Sequence, residues 1–209
     1  MSGYDDHGTP LPGDQNTDRH TLGARWVGSV SGFTYRGEGS YQTGTLVGTD
    51  VSAFMLGARL GHGFGGKGSV ALWYDYLSGD GDLGDDTIKV FDTLFATNHK
   101  FYGFADLFLN IPLHTGGRGL QDLALKGAYR VNPEWTLKLD LHTFNMADKG
   151  SLTSGHFGEE IDVGASWKYN KYLSVSGGFA YVFQSEGWAE IGRLNEDLGW
   201  VYLMLDAKF

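Results

Sequence analysis

Asp92, His99 and Asp106 fall within one stretch, residues 89–108, and a set of two carboxylates and an imidazole is what proton transfer or metal binding uses. Their spacing matches no metal pattern such as H-E-x-x-H, and the chain contains neither a G-x-S-x-G nor a P-loop sequence. The other histidines, His7, His20, His62, His114, His142 and His156, are scattered. No catalytic residue, no metal and no cofactor is therefore assigned. The stretch reads instead as a long loop that Asp92, Asn98 and His99 hydrogen-bond into a fixed shape. A second run, residues 78–86, clusters carboxylates as a calcium site does, but it lacks the order and the terminal Glu of an EF-hand loop. It reads as a solvated acidic loop, with weak calcium binding left open.

A larger set of charges is spaced for selection rather than reaction. Arg25, Arg36, Glu38, Arg59, Asp75, Lys126, Arg130, Lys138, Asp140, Asp162 and Lys168 each sit opposite an apolar parity of their own segment. Seven of these are basic and four acidic. Charges in such numbers would clash with a packed core. They suit a face turned to water, where cations attract anions and interspersed acids let them leave.

Nine segments with period-two alternation carry these charges: 21–30, 33–42, 51–62, 68–77, 121–131, 135–145, 159–169, 173–184 and a last one from Gly199. In the first, Leu22, Ala24, Trp26 and Val30 oppose Arg25. In the third, Phe54, Leu56, Ala58 and Leu60 oppose Arg59. In the sixth, Leu137, Leu139 and Leu141 oppose Lys138, Asp140 and His142. The last alternates Val201, Leu203, Leu205, Ala207 and Phe209 with Trp200, Tyr202, Met204, Asp206 and Lys208. Each segment has about the ten residues that a tilted strand needs to cross a bilayer, whereas soluble strands average about five or six. The expected fold is all-β: an antiparallel transmembrane β-barrel of about nine or ten strands, part of a larger barrel. Its apolar parity would face lipid, with Trp26, Tyr41, Tyr74, Tyr76, Trp135, Trp167, Tyr169, Tyr172 and Trp200 as interfacial girdles.

Connections alternate in length. Short ones fall at Ser31 and Gly32, at residues 64–67, at Asn132 and Pro133, and at Asn170 and Lys171. Long ones fall at about 43–50, 78–120, 146–158 and 185–197. One rim is then all tight turns and the other all long loops, the pattern of periplasmic turns and outer loops. Residues 1–19 read as an outer loop or a disordered segment, and 20–209 as the barrel portion. An odd strand count, with the first strand starting on the long-loop rim and no signal peptide visible, leads to the expectation that the chain is the C-terminal portion of a longer barrel. A tenth strand near residues 101–110 is the rival topology.

Composition agrees. The 209 residues include 33 Gly, 4 Pro and no Cys, with 14% aromatics, which favours strands and turns and excludes disulfides and thiolate metal sites. A net charge of −9 without a basic run argues against nucleic acid. No stretch approaches the roughly 20 apolar residues of a membrane helix, and mean hydropathy is slightly negative, as expected when lipid-facing and water-facing residues alternate.

Phe91, Asp92, Leu94, His99, Lys100, Gly103, Asp106 and Phe108 form a block that resembles the alginate-export family of outer-membrane porins, and residues 17–25 resemble the start of a strand there. The resemblance implies one large antiparallel barrel, a bacterial outer-membrane location, and passive passage of a solute, which for the name-giving activity is the anionic polysaccharide alginate. The expected function is an outer-membrane passive channel for anionic or polar solutes. A plugged structural or adhesive barrel is the alternative, and a hydrolytic barrel lacks a nucleophile set. Implied partners are outer-membrane lipid, the barrel-assembly machinery and the solute. The terminal strand ending on Phe209 resembles the signal that machinery reads.

Overall fold

The computed structural model describes residues 17–209. The expected outer segment, residues 1–19, lies outside the described residues as far as residue 16. Nine long strands form, each from an alternating segment: β1 (Asp18–Val30), β2 (Phe33–Leu46), β3 (Thr49–Phe64), β4 (Gly68–Leu77), then, after β5 (Thr87–Ile88) and α1 (Ile111–His114), β6 (Leu120–Arg130), β7 (Trp135–Asn145), β8 (His156–Lys168) and β9 (Leu173–Gln184), and after α2 (Glu186–Glu190), β10 (Leu198–Ala207). Every long strand pairs antiparallel with the next, β4 with β6 included, giving the order β1-β2-β3-β4-β6-β7-β8-β9-β10. Only the two-residue β5 departs, pairing parallel with β3. Among the described residues β1 and β10 are each paired on one side, so the sheet is open, as a part of a barrel would be. No helix among the described residues is long and apolar enough to cross a membrane; crossing falls to the strands.

Turn chemistry sets the short rim. Ser31 and Gly32 both take positive φ (50° and 82°), the backbone of a two-residue hairpin turn whose twist matches its strands. Asn132 accepts from the amides of Glu134 and Trp135, and Asn170 from those of Tyr172 and Leu173, the same side-chain turn used twice.

On the opposite rim the expected loop at 43–50 is absent. β2 and β3 instead run to Leu46 and Thr49 and close through Val47 and Gly48, at φ 55° and 81°. Thr43, Thr45, Thr49 and Val51 sustain the ladder there, because β-branched residues suit a pleated surface. The hairpin therefore projects as strand. The rival tenth strand at 101–110 does not form; those residues turn, with Gly103 and Asp106 at φ 83° and 59°.

Register assigns the two faces. Leu56, Leu125, Leu139, Val163 and Leu203 lie on the uncovered outer face, and Trp135 stacks on Trp167 there at 5.6 Å. Trp200 is a correction to the expected girdle: β10 turns it to the other face, where its ring lies 6.1 Å from that of His99. Near the long-loop rim this inner face is covered. Residues 78–119 and α2 fold onto it, and a core forms from Ala53, Leu77, Leu120 and Phe144 of the sheet with Phe91, Phe108, Ile111 and Trp188.

Candidate functional site: the inner face and its loop

Pairing registers put all eleven candidate charges on the inner face, since residues opposite one another in a ladder share a side. Their environments divide. Arg36 pairs with Glu38 at 2.8 Å. The guanidinium of Arg59 lies 3.3 Å from the centre of the Trp73 ring, with Asp75 at 3.8 Å. Lys126 donates to Asp140 (3.1 Å) and to His142 Nε2 (3.0 Å). His142 must then carry its proton on Nδ1, from which it donates to Asp122 at 2.9 Å. Arg25, Arg130, Lys138 and Lys168 are exposed and make no ion pair among the described residues.

The 89–108 block is held as a loop. Asp92 pairs with Arg19 at 2.9 Å and accepts from the Leu94 amide, which lets Leu94 take φ 56°. Gln42, fully buried on β2, donates to the Asp92 carbonyl and accepts from its amide, a bridge made by a side chain. Asn98 donates to the carbonyls of Phe108 and Leu109 and to Thr93. His99 bonds Asp106 through Nδ1 and stacks on Phe104. Lys100 stays exposed near the Phe101 ring. Phe91 and Phe108 are core residues; Phe108 packs among Phe144, Phe157 and Trp188.

The loop tip meets the wall at two carboxylates. Ala105 N–H donates to Glu160 at 2.8 Å and Phe104 N–H to Asp162 at 3.3 Å. Gly103 sits so close that a Cβ would lie 2.4 Å from a Glu160 oxygen, and its φ of +83° already favours glycine. Burial, with Asp75 and Asp122 nearby, pushes the Tyr102 hydroxyl well above its ordinary range, so it stays neutral under the loop.

The acidic run binds its own backbone. Asp80 accepts from the amides of Asp82 and Lys89, Asp82 from Gly84, and Asp85 from Thr87. Among the described residues one group has metal-ligand geometry, Asp140, His142 and Asp162, and the ammonium of Lys126 already binds two of the three.

Residues 1–184 match the family model for alginate export. The chain belongs to the alginate export family. Its fold is similar to that of the NanC porin solved in a rhombohedral crystal form, with a TM-score of 0.54 at 9% identity, over 91% of this chain and 79% of that one. No curated protein matches the chain. This alginate export family member is thus an outer-membrane β-barrel channel protein, of a class that transports rather than catalyses.

Of the residues singled out from sequence, Asp92, Asn98 and His99 do hold the loop's shape, and Asp92, His99 and Asp106 do not gather into one cluster: Asp92 pairs with Arg19 while His99 pairs with Asp106. Sequence reasoning missed Glu160, which is fully buried, as well as the roles of Gln42 and Asp122. Glu160 shares parity with Asp162 one step earlier in the same strand, a signal present in the alternation but placed at its edge.

Proposed function

We propose that the inner face forms the conducting path of a passive channel for anionic or polar solutes, with an alginate-like polysaccharide as the leading cargo. The observation that carries this is the division of charge. Most inner-face acids are buried or paired near the loop, with Asp206 of β10 an exposed exception, whereas Arg25, Arg130, Lys138 and Lys168 stand exposed with no ion pair among the described residues. The net field of the open part is positive despite the chain's overall −9. Family membership supports the polysaccharide. Outer-membrane lipid contacts the outward parity, and the barrel-assembly machinery engages the last strand.

The test is the reversal potential across a KCl gradient, with the protein reconstituted in a planar bilayer. Replacing Arg25 and Arg130 with Gln lowers anion permeability relative to cation permeability. The difference shrinks as salt shortens the Debye length to about 10 Å at 0.1 M and below. A ratio indifferent to both substitutions removes these side chains from the path.

One observation favours a second reading, a plugged barrel: the loop fills the inner face near the long-loop rim, leaving Ala53, Leu77 and Leu120 with no exposure. Single-channel recording separates the two, since a plugged barrel passes no current.

A further inference from the structure

A cavity of about 220 Å³ lies between the wall and the loop. Four charges border it: Arg36 and Glu38 of β2, Arg59 of β3 and Asp75 of β4. The first two pair at 2.8 Å, but Arg59 and Asp75 stand 3.8 Å apart, beyond hydrogen-bond reach. The rings of Trp73 and Phe101 lie with their centres 3.3 and 5.3 Å from the Arg59 guanidinium. Stacking uses the flat face of that group and leaves its N–H groups, which lie in its plane, for other partners. Arg59 Nε and Nη2, Arg36 Nε and Asp75 Oδ1 are nonetheless buried with no hydrogen-bond partner among the described residues, and Asp75 is only 3% exposed. Buried donors and acceptors are rarely left so. Gly57 sits in the ladder between Glu38 and Asp75. A Cβ there would lie 2.7 Å from Asp75 Oδ1 and 3.8 Å from Arg36 Nη2, so the missing side chain keeps the space between the charges open.

What these charges lack is a group that accepts from a guanidinium and donates to a carboxylate. A hydroxyl does both. One oxygen at ordinary hydrogen-bond distance from each partner spans the 3.8 Å between Arg59 and Asp75. A simple anion would meet the repulsion of Glu38 and Asp75, and a simple cation that of the two arginines. Among the remaining lining residues, Met55, Phe91, Phe101 and Tyr102 offer apolar surface. The volume is that of about seven waters, but water gains nothing from apolar walls. A short carbon chain bearing adjacent hydroxyls meets the walls and the charges together. We propose that the cavity is a binding site for a small neutral polyol, whose hydroxyls bridge Arg59 and Asp75 and accept from Arg36 while its carbon chain lies against the rings. The site goes beyond the channel reading: its ligand is uncharged, and its own charges balance. Because wall and loop both line it, a bound polyol ties one to the other.

The experiment uses the protein purified from outer membranes in detergent, with binding read by saturation-transfer NMR. Erythritol is the probe, and 1,4-butanediol, glycine and formate are the comparisons. Erythritol is expected to bind saturably. The butanediol, which has as long a carbon chain but no adjacent hydroxyls, is expected to bind more weakly, and neither glycine nor formate to compete. Erythritol affinity is expected to fall by roughly tenfold in Arg59→Lys, the worth of one hydrogen bond to a charged group. It is expected to fall also in Gly57→Ala and to stay unchanged in Lys149→Gln, whose lysine lies in the loop between β7 and β8. Asp75→Asn leaves the site with a net positive charge, and formate is then expected to compete. Heat-modifiable gel mobility confirms that each variant has assembled. If the strand variants do not assemble, Ala96→Trp, at an exposed lining position of the loop, obstructs the site without altering a strand. Absence of saturable erythritol binding would mean that the cavity holds water alone and overturns the proposal. Equal affinity across the variants of lining residues overturns it too, as does butanediol binding as tightly, or glycine or formate competing in the unaltered protein. None of these readouts depends on ion current, so the channel reading stands or falls separately.

Discussion

The inner face near the long-loop rim and the inner face near the short-turn rim share one alternation and differ in everything else. Near the long-loop rim Asp75, Asp122, Glu160 and Asp162 are almost wholly buried, and the latter three bond to His142 or to loop amides. Toward the turns Arg130, Lys138 and Lys168 stand in the open with no ion pair among the described residues, and Asp206 is the one acid of β10 exposed beside them. The difference teaches that a loop can reverse the electrostatic character of a sheet whose composition is mixed. Acids near the loop accept hydrogen bonds from His142 and the loop amides, and the cations toward the turns stay exposed.

The largest effect is expected where the loop's anchor enters the core. Trp188 is 1% exposed and packs on Phe108 and Phe157. Trp188→Ala is expected to cost about 3–5 kcal/mol by urea unfolding. It should also open residues 78–119 to protease in the otherwise folded barrel. A loop that stays protected would mean the covered region does not depend on this anchor.

A smaller effect is expected at the tip. Gly103→Val forces a side chain into left-handed backbone and against Glu160, at about 1–3 kcal/mol. Faster amide exchange at Phe104 and Ala105, with unchanged exchange in β6 and β7, is the expected signature. Uniform exchange throughout would show that tip and wall are one cooperative unit.

Asp122→Ala leaves the buried Nδ1–H of His142 without its acceptor, a loss of about 1–3 kcal/mol. The least effect belongs to the open region. Lys138→Ser, which removes an exposed and unpaired charge, is expected to change stability by no more than about 0.5 kcal/mol. If Lys138→Ser costs as much as Asp122→Ala, the contrast between the two regions fails.

Much of this was legible in the chain. Leu137, Lys138, Leu139 and Asp140 alternate, and in the fold they alternate between outer and inner face, because a strand's side chains must point to opposite sides in turn. Asn132 and Asn170 marked tight turns for the same local reason. The β2–β3 hairpin was less legible. Gly44 and Gly48 resemble loop punctuation, and only pairing with β3 made residues 43–46 strand. Trp200 shows the limit of composition: an aromatic residue near a strand end suggested a girdle, yet its parity put it inside.

The sequence by itself therefore determined strand number, the two faces, and the positions of the tight turns, all properties set by neighbours one or two residues apart. Only the tertiary structure decided that residues 78–119 fold inward, that Ala105 and Phe104 donate to carboxylates 55 and 58 residues away, and that Lys126 pairs with Asp140 while Lys138 pairs with no described carboxylate. Such partners are chosen by chain closure and register across the whole sheet. The period of a strand states which side a charge is on, but not what will be folded against it.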